Sequence, residues 1–166
     1  MLQNTSFNRR SADYQSAEVA RHEQPQRSTQ VQNSALPRLI AIVDDDTYAR
    51  DGMNALVESY GYLGARFATT EEYLASNIVD KTACLILDVH LPGMNGPDLQ
   101  DRLLADGYRI PIVFVTGAFD EAIRTRVLRA GALCYLSKPC SENALIDCLK
   151  GALDSGSGAP WARTSG

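Results

Sequence analysis

Acidic, hydroxyl and basic residues stand at the ends of apolar runs in this chain. Leu39–Val43 runs into Asp44, Asp45 and Asp46, Cys84–Leu87 into Asp88, Ile110–Val115 into Thr116 and Gly117, and Leu133–Leu136 is followed by Ser137, Lys138 and Pro139. Each of these taken alone suits a solvated turn, because Asp, Thr and Gly are common in loops. Gathered at one edge, the carboxylates would repel one another and demand neutralisation. A hard divalent cation with oxygen ligands answers that demand, and Mg²⁺ usually takes one or two carboxylates, several waters and a substrate phosphate. Neither G-x-G-x-x-G nor G-x-x-x-x-G-K occurs, so Gly61, Gly64 and Gly107 read as turn glycines and not as a phosphate-binding loop.

The elements that must position these residues follow from the hydrophobic pattern. Apolar runs at Leu39–Val43, Ala65–Ala68, Cys84–Leu87, Ile110–Val115 and Leu133–Leu136 read as strands. All but the second are apolar at nearly every position, as expected of parallel strands covered on both faces. Between them, Thr47–Ser59 has helical spacing through Ala49, Met53, Leu56 and Tyr60, with Asp46 as its cap. Thr69 with Glu72 forms a capping box, and Pro97 suits the first turn of a helix over Asp98–Ala105 ended by Gly107. Asp120–Ala130 stops at Gly131, and Ser141 caps a helix with Leu145, Cys148, Leu149 and Ala152 on one stripe. Strands alternating with helices predict a three-layer α/β sandwich with right-handed crossovers. In such a sheet, chemistry collects at the carboxyl ends of the strands.

Composition bounds the rest. With 166 residues, 45% of them hydrophobic and 22% charged, the chain is one ordinary domain plus spare length. Residues 1–37, rich in Gln, Ser, Asn and Arg, read as a disordered extension, with a short helix over Ser11–His22 conceivable. Residues 38–153 form the domain, and 154–166 read as a Gly/Ser-rich flexible tail in which Trp161 is an isolated aromatic suited to docking. No output domain is expected after Leu153. Residues 39–153 hold ten basic against sixteen acidic residues, which argues against direct nucleic-acid binding. With no apolar run of bilayer length and no secretory signal, a cytoplasmic location away from the membrane is expected. Cys84, Cys134, Cys140 and Cys148 include no C-x-x-C pair and read as reduced structural thiols, with neither zinc nor a disulfide.

The motifs IVDDD, LILDVHLPGMNG, IVFVTGA and CYLSKP, in that order, resemble the receiver domain of two-component response regulators over residues 38–153. The resemblance implies a CheY-like, flavodoxin-like (βα)5 fold with a five-stranded parallel sheet in the order 2-1-3-4-5 and five helices. It implies Asp88 as phosphoacceptor, Asp45 as direct ligand of Mg²⁺ (or Mn²⁺ in its place), Asp44 as a ligand through water, and the main-chain carbonyl of His90 as a further ligand. Thr116 and Lys138 would each contact a phosphoryl oxygen, and Pro139, in the family often after a cis peptide bond, would help place the lysine. Thr116 and Tyr135 would form the switch, altering the face made by the fourth helix, fifth strand and fifth helix. The implied partners are a histidine kinase or histidine phosphotransfer protein, with a phosphorylation-dependent dimer or a downstream protein as target. Such a protein is not a conventional enzyme; it catalyses its own phosphotransfer and a slow hydrolysis of the aspartyl phosphate.

Some positions depart from the family pattern. Cys140 stands where Phe is common, leaving a smaller anchor that Leu145 would supplement. Small Ala118, with His90, flanks the site where water access is controlled. Two other functions compete with a stand-alone receiver: a receiver cut from a regulator with a helix-turn-helix output domain, and a phosphohydrolase using Asp44 as nucleophile and Asp46 as acid/base. The latter requires D-x-D-x-T/V after the first strand, whereas Tyr48 occupies the final position here.

Overall fold

A computed structural model describes residues 36–154. The expectations for residues 1–35 and 155–166, including the helix over 11–22 and the docking of Trp161, lie outside the described residues. The described chain alternates β1 (Leu39–Val43), α1 (Thr47–Ser59), β2 (Leu63–Phe67), α2 (Thr70–Ala75), a 3₁₀ turn (Val79–Lys81), β3 (Thr82–Leu87), α3 (Gly96–Ala105), β4 (Ile112–Thr116), α4 (Glu121–Arg129), β5 (Cys134–Ser137) and α5 (Glu142–Asp154). The five strands form one parallel sheet in the order β2-β1-β3-β4-β5, as the resemblance implied.

The continuous apolar strands are buried on both faces because residues of opposite parity feed two cores. Ala41, Val43, Leu85, Leu87 and Phe114 pack with Tyr73 of α2, Leu99 and Leu103 of α3 and Val127 of α4. Ile40, Ile42, Cys84, Ile86, Val113 and Val115 pack with Val57 of α1 and with Leu145, Ile146 and Leu149 of α5. The period-2 alternation of strand side chains thus distributes one hydrophobic run between two helix layers.

Local signals set most helix starts. Asp46 caps α1 by accepting from the backbone N–H groups of Tyr48 and Ala49 at 2.8 and 3.2 Å. At α2, Thr69 Oγ1 accepts from Glu72 N–H, while the Glu72 carboxylate reaches back to Ala68 N–H instead of the cap residue's own. Asn95, which the pattern did not single out, caps α3 through Asp98 N–H and moves that helix's start back to Gly96. At the two ends of the domain, the Arg38 guanidinium donates to the carbonyl of Leu153.

Three expectations need correction. Gly64 is not in a turn but in β2, opposite Ile40, where an added Cβ would overlap the Asn54 side chain; the glycine is there for close packing. The fourth strand begins at Ile112 because Pro111 has no N–H for the ladder, although its carbonyl still accepts from Leu85. The largest difference concerns the thiols: Cys134 of β5 and Cys148 of α5 form a disulfide, their Cα atoms 6.3 Å apart, while Cys84 and Cys140 are free. Sequence spacing could not show this pair, because it depends on how α5 folds back along the edge strand.

Gly96 fixes the loop after β3. Its N–H donates to Val89 O at 3.0 Å, and a Cβ there would overlap the Asp88 carbonyl oxygen and press on the Phe114 ring. Gly96→Ala is therefore expected to destabilise the domain by about 1–3 kcal/mol in urea denaturation, the usual cost of overpacking.

Candidate functional site

The loops that leave the carboxyl ends of β1, β3, β4 and β5 meet at one edge of the sheet. Parallel pairing aligns them: Val43 is in register with Leu87, and Thr116 with Ser137. Asp44 and Asp88 each follow the last residue of a central strand. Asp88 N–H donates to Val43 O at 2.9 Å, and Asp44 N–H to Phe67 O at 3.1 Å, so both continue the ladder as their side chains enter the cleft.

Carboxylate oxygens of Asp44, Asp45 and Asp88 lie within 4.8 Å of one another. Asp44 is fully buried, Asp88 is 7% exposed, and Asp45 is open to solvent. Lys138 Nζ sits between the two buried ones, 2.6 Å from Asp44 Oδ2 and 2.7 Å from Asp88 Oδ2. These are short, charge-assisted hydrogen bonds. Their second oxygens are also engaged: Asp46 N–H donates to Asp44 Oδ1 at 2.9 Å and His90 N–H to Asp88 Oδ1 at 3.1 Å. His90 therefore meets the site through its backbone, and the acidic cluster contains only Asp44, Asp45 and Asp88 among the described residues.

Thr116 ends β4, buried, with its hydroxyl 3.3 Å from both the N–H and the carbonyl of Ala118. Its own carbonyl accepts from Lys138 N–H at 2.7 Å, which ties the loop after β4 to the lysine. The Lys138–Pro139 peptide is cis. Tyr135 lies on β5 with its ring 6.4 Å from Phe114 and edge-on to Phe119 at 5.7 Å. Its hydroxyl is buried without a hydrogen-bond partner, and the Asp120 backbone influences it only from outside hydrogen-bond geometry. Cys140 packs against the α1/α5 core whose buried members include Leu145.

The structure adds residues that the strand-end motifs did not reveal. Thr70 Oγ1 donates to Met94 O at 2.9 Å, and Glu71 Oε1 accepts from Met94 N–H at 3.0 Å. Together they clamp the loop after Asp88 from α2; this backbone hydrogen bond also lowers the Glu71 pKa. Arg50 of α1 donates to Asp44 O at 2.6 Å. Arg126 of α4 bridges to Asp98 and Asp101 of α3 at 3.1 and 2.7 Å, beside a buried bond from Gln100 Nε2 to Val127 O. No sequence motif marks these contacts, and all but that of Arg50 with Asp44 join residues more than twenty positions apart.

The residues fit a hard cation. Three carboxylates, two of them buried, supply oxygen donors and more negative charge than one ammonium cancels. Burial raises the Asp44 pKa despite the hydrogen bonds and charge of Lys138, with the Asp88 charge raising it further. For Lys138, burial works against the charged form, but hydrogen bonds to Asp44 and Asp88 outweigh it and the pKa rises.

The sequence pattern of the response regulator receiver domain matches residues 40–150. The chain belongs to that family. The receiver is 36% identical over 116 residues to nodulation protein W of Bradyrhizobium diazoefficiens, covering 70% of this chain and 51% of that protein. It is likewise 36% identical over 117 residues to the response regulator protein TodT of Pseudomonas putida, covering 69% and 51%. Among solved structures it resembles a CheY-like receiver domain protein from Methanospirillum hungatei, with a TM-score of 0.64, 31% identity, and coverage of 72% of this chain and 95% of that one. The chain spans about half the length of the curated relatives named here. Family membership removes the phosphohydrolase alternative. Among the described residues no helix is long and apolar enough to cross a membrane.

A folded-state pKa of Asp44 above its ordinary 3.8 means that the folded protein holds this proton more tightly than the unfolded chain. The corresponding stability is present below about pH 3.8 and is lost as pH rises through the raised value. With a chelator present, Asp44→Asn is thus expected to melt higher than the parent protein at neutral pH. The gain should shrink as pH falls toward 3.8. Differential scanning calorimetry across this range measures it.

Proposed function

We propose that this receiver accepts a phosphoryl group on Asp88 from a phosphohistidine of a histidine kinase or histidine phosphotransfer protein. The observation that carries the proposal is the Lys138 ammonium held between the carboxylates of Asp44 and Asp88 at the meeting of the central strands. A carboxylate that attacks a phosphoryl group meets another anion, and fixed positive charge offsets that repulsion.

An Asp88 oxygen attacks phosphorus in line with the phosphohistidine nitrogen; the new O–P bond forms as the P–N bond breaks, and the electron pair leaves with the imidazole. Lys138 exchanges its contact with Asp88 for one with a phosphoryl oxygen while keeping its contact with Asp44. Thr116 gives up its contact with Ala118 and donates its hydroxyl to another phosphoryl oxygen. Asp44, Asp45, Asp88 and the His90 carbonyl would hold Mg²⁺ or Mn²⁺, which when bound supplies further positive charge to the equatorial oxygens. The group is lost by hydrolysis: water attacks phosphorus, the O–P bond to Asp88 breaks, its electron pair returns to the carboxylate, and inorganic phosphate leaves with a proton released to solvent. The protein is thus no conventional enzyme, since it turns over only its own acyl phosphate.

Movement of Thr116 would open the space beside Tyr135, whose buried and unpartnered hydroxyl gains little by staying where it is. Tyr135, Phe119 and the start of α4 then rearrange as a two-state element, altering the α4–β5–α5 face that a downstream protein or a second copy would read. We place the protein in the cytoplasm with its phosphodonor. A second setting, the same receiver joined to an output domain, is favoured by the greater length of the curated relatives. Reading the gene beyond this chain distinguishes the two.

Incubation with Mg²⁺ and a small phosphodonor should label the parent protein with one acid-stable, base-labile phosphoryl group. Asp88→Asn should reduce labelling at least about a hundredfold, and chelation of the metal should do the same to the parent. Undiminished labelling of Asp88→Asn would remove Asp88 from its role.

A further inference from the structure

The Cys134–Cys148 pair joins the edge strand to the last helix on the α1/α5 side of the sheet. Its exposure and its place beside an apolar core distinguish it from a buried structural bridge, and its geometry lets it close. Both residues are only partly buried, whereas the free thiol of Cys84 belongs to a fully buried residue. Their Cα separation of 6.3 Å lies within the range that a disulfide spans without backbone movement. In the reduced state both thiols would border an apolar core already complete without them, because α5 is anchored by Leu145, Ile146, Leu149, Ala152 and Leu153. The apolar stripe of α5 thus holds the helix to the sheet alongside the bond.

The position gives the bond leverage. Cys134 opens β5 immediately before Tyr135, the strand ends at Ser137 one residue before Lys138, and β5 pairs on one side only, with β4. We infer that Cys134 and Cys148 are a reversible thiol–disulfide modification site, a second covalent input to the domain that fastens α5 to the strand that carries Tyr135 and leads into Lys138. The chemistry needs a low-molecular-weight disulfide such as oxidised glutathione. One protein thiolate attacks it, forming a mixed disulfide and releasing one glutathione thiolate. The second protein thiolate then attacks the protein sulfur of the mixed disulfide, closing the bond and releasing the other. Two electrons pass to glutathione disulfide, and the two protons lost by the cysteines go to the two glutathione molecules. Reduced glutathione in excess reverses both steps. Cys84 is an internal reference, since burial pushes its thiol up to about 12 and keeps it inert.

The inference goes beyond the phosphoacceptor reading, and its test uses no phosphodonor, so the two stand or fall separately. The full chain is equilibrated in glutathione buffers of graded oxidised-to-reduced ratio, quenched in acid, unfolded, alkylated and weighed intact. The oxidised end should carry two alkylatable thiols of the chain's four and a peptide linking Cys134 to Cys148; the reduced end should carry all four. Cys134→Ser and Cys148→Ser should form no internal disulfide in any buffer. Hydrogen exchange of the two end states should then show amides of β5 and α5 protected at least about tenfold more in the oxidised form. A pair that never closes in the oxidised buffer, or never opens in the reduced one, overturns the reversible site. Equal protection in the two forms overturns the fastening of α5. Because both states are read on the parent protein, a serine variant that fails to fold does not weaken the test.

Discussion

Two carboxylates buried at the end of a parallel sheet are a cost that the rest of this structure must offset. Asp44 and Asp88 sit almost out of water, close enough to repel, and one ammonium is shared between them. Burial of ions costs several kcal/mol apiece even after relaxation, so the lysine and the surrounding N–H donors are conditions for folding in this geometry. One positive charge against two buried carboxylates and exposed Asp45 leaves the site electrostatically incomplete, which makes it receptive to a cation and then to a phosphoryl group. The electrostatic cost of the cleft and its capacity to bind a cation come from the same imbalance.

Holding such a cluster requires rigid supports, and the sheet provides them. Val43 and Leu87 are paired neighbours, so the side chains that follow them are set by ladder register instead of loop conformation. The outer members are held less directly. Lys138 arrives from β5, the sheet edge, and its backbone is tied to Thr116 by one hydrogen bond. The loop after Asp88 is clamped from α2 by Thr70 and Glu71 and packed against Gly96. Central strands thus carry the acidic groups and the more adjustable side carries Lys138, Thr116 and Tyr135.

Much of this was legible in the chain. Continuous apolar runs on strands and helical spacing between them specify a covered parallel sheet, and Asp46, Thr69 and Ser141 act as caps through short-range hydrogen bonds. Strand ends were less visible where the backbone itself decides pairing, as at Pro111, or where an edge strand mixes polar and apolar residues, as at Leu63–Phe67. Gly64 looks like a turn residue by type and is a packing residue by position, because its neighbour Asn54 comes from a different element.

The sequence by itself determined the order of elements, the two-sided burial of the sheet and the residue types delivered to its carboxyl edge, because these follow from local periodicity and from where each apolar run stops. Tertiary structure decided which groups meet. That Lys138 bridges Asp44 and Asp88, that Glu71 holds the loop after Asp88, that Tyr135 hides an unpartnered hydroxyl and that Cys134 reaches Cys148 are results of crossover geometry between distant segments. Distance along the chain carries no trace of such contacts; they exist only once the sheet has closed and the helices have packed against it.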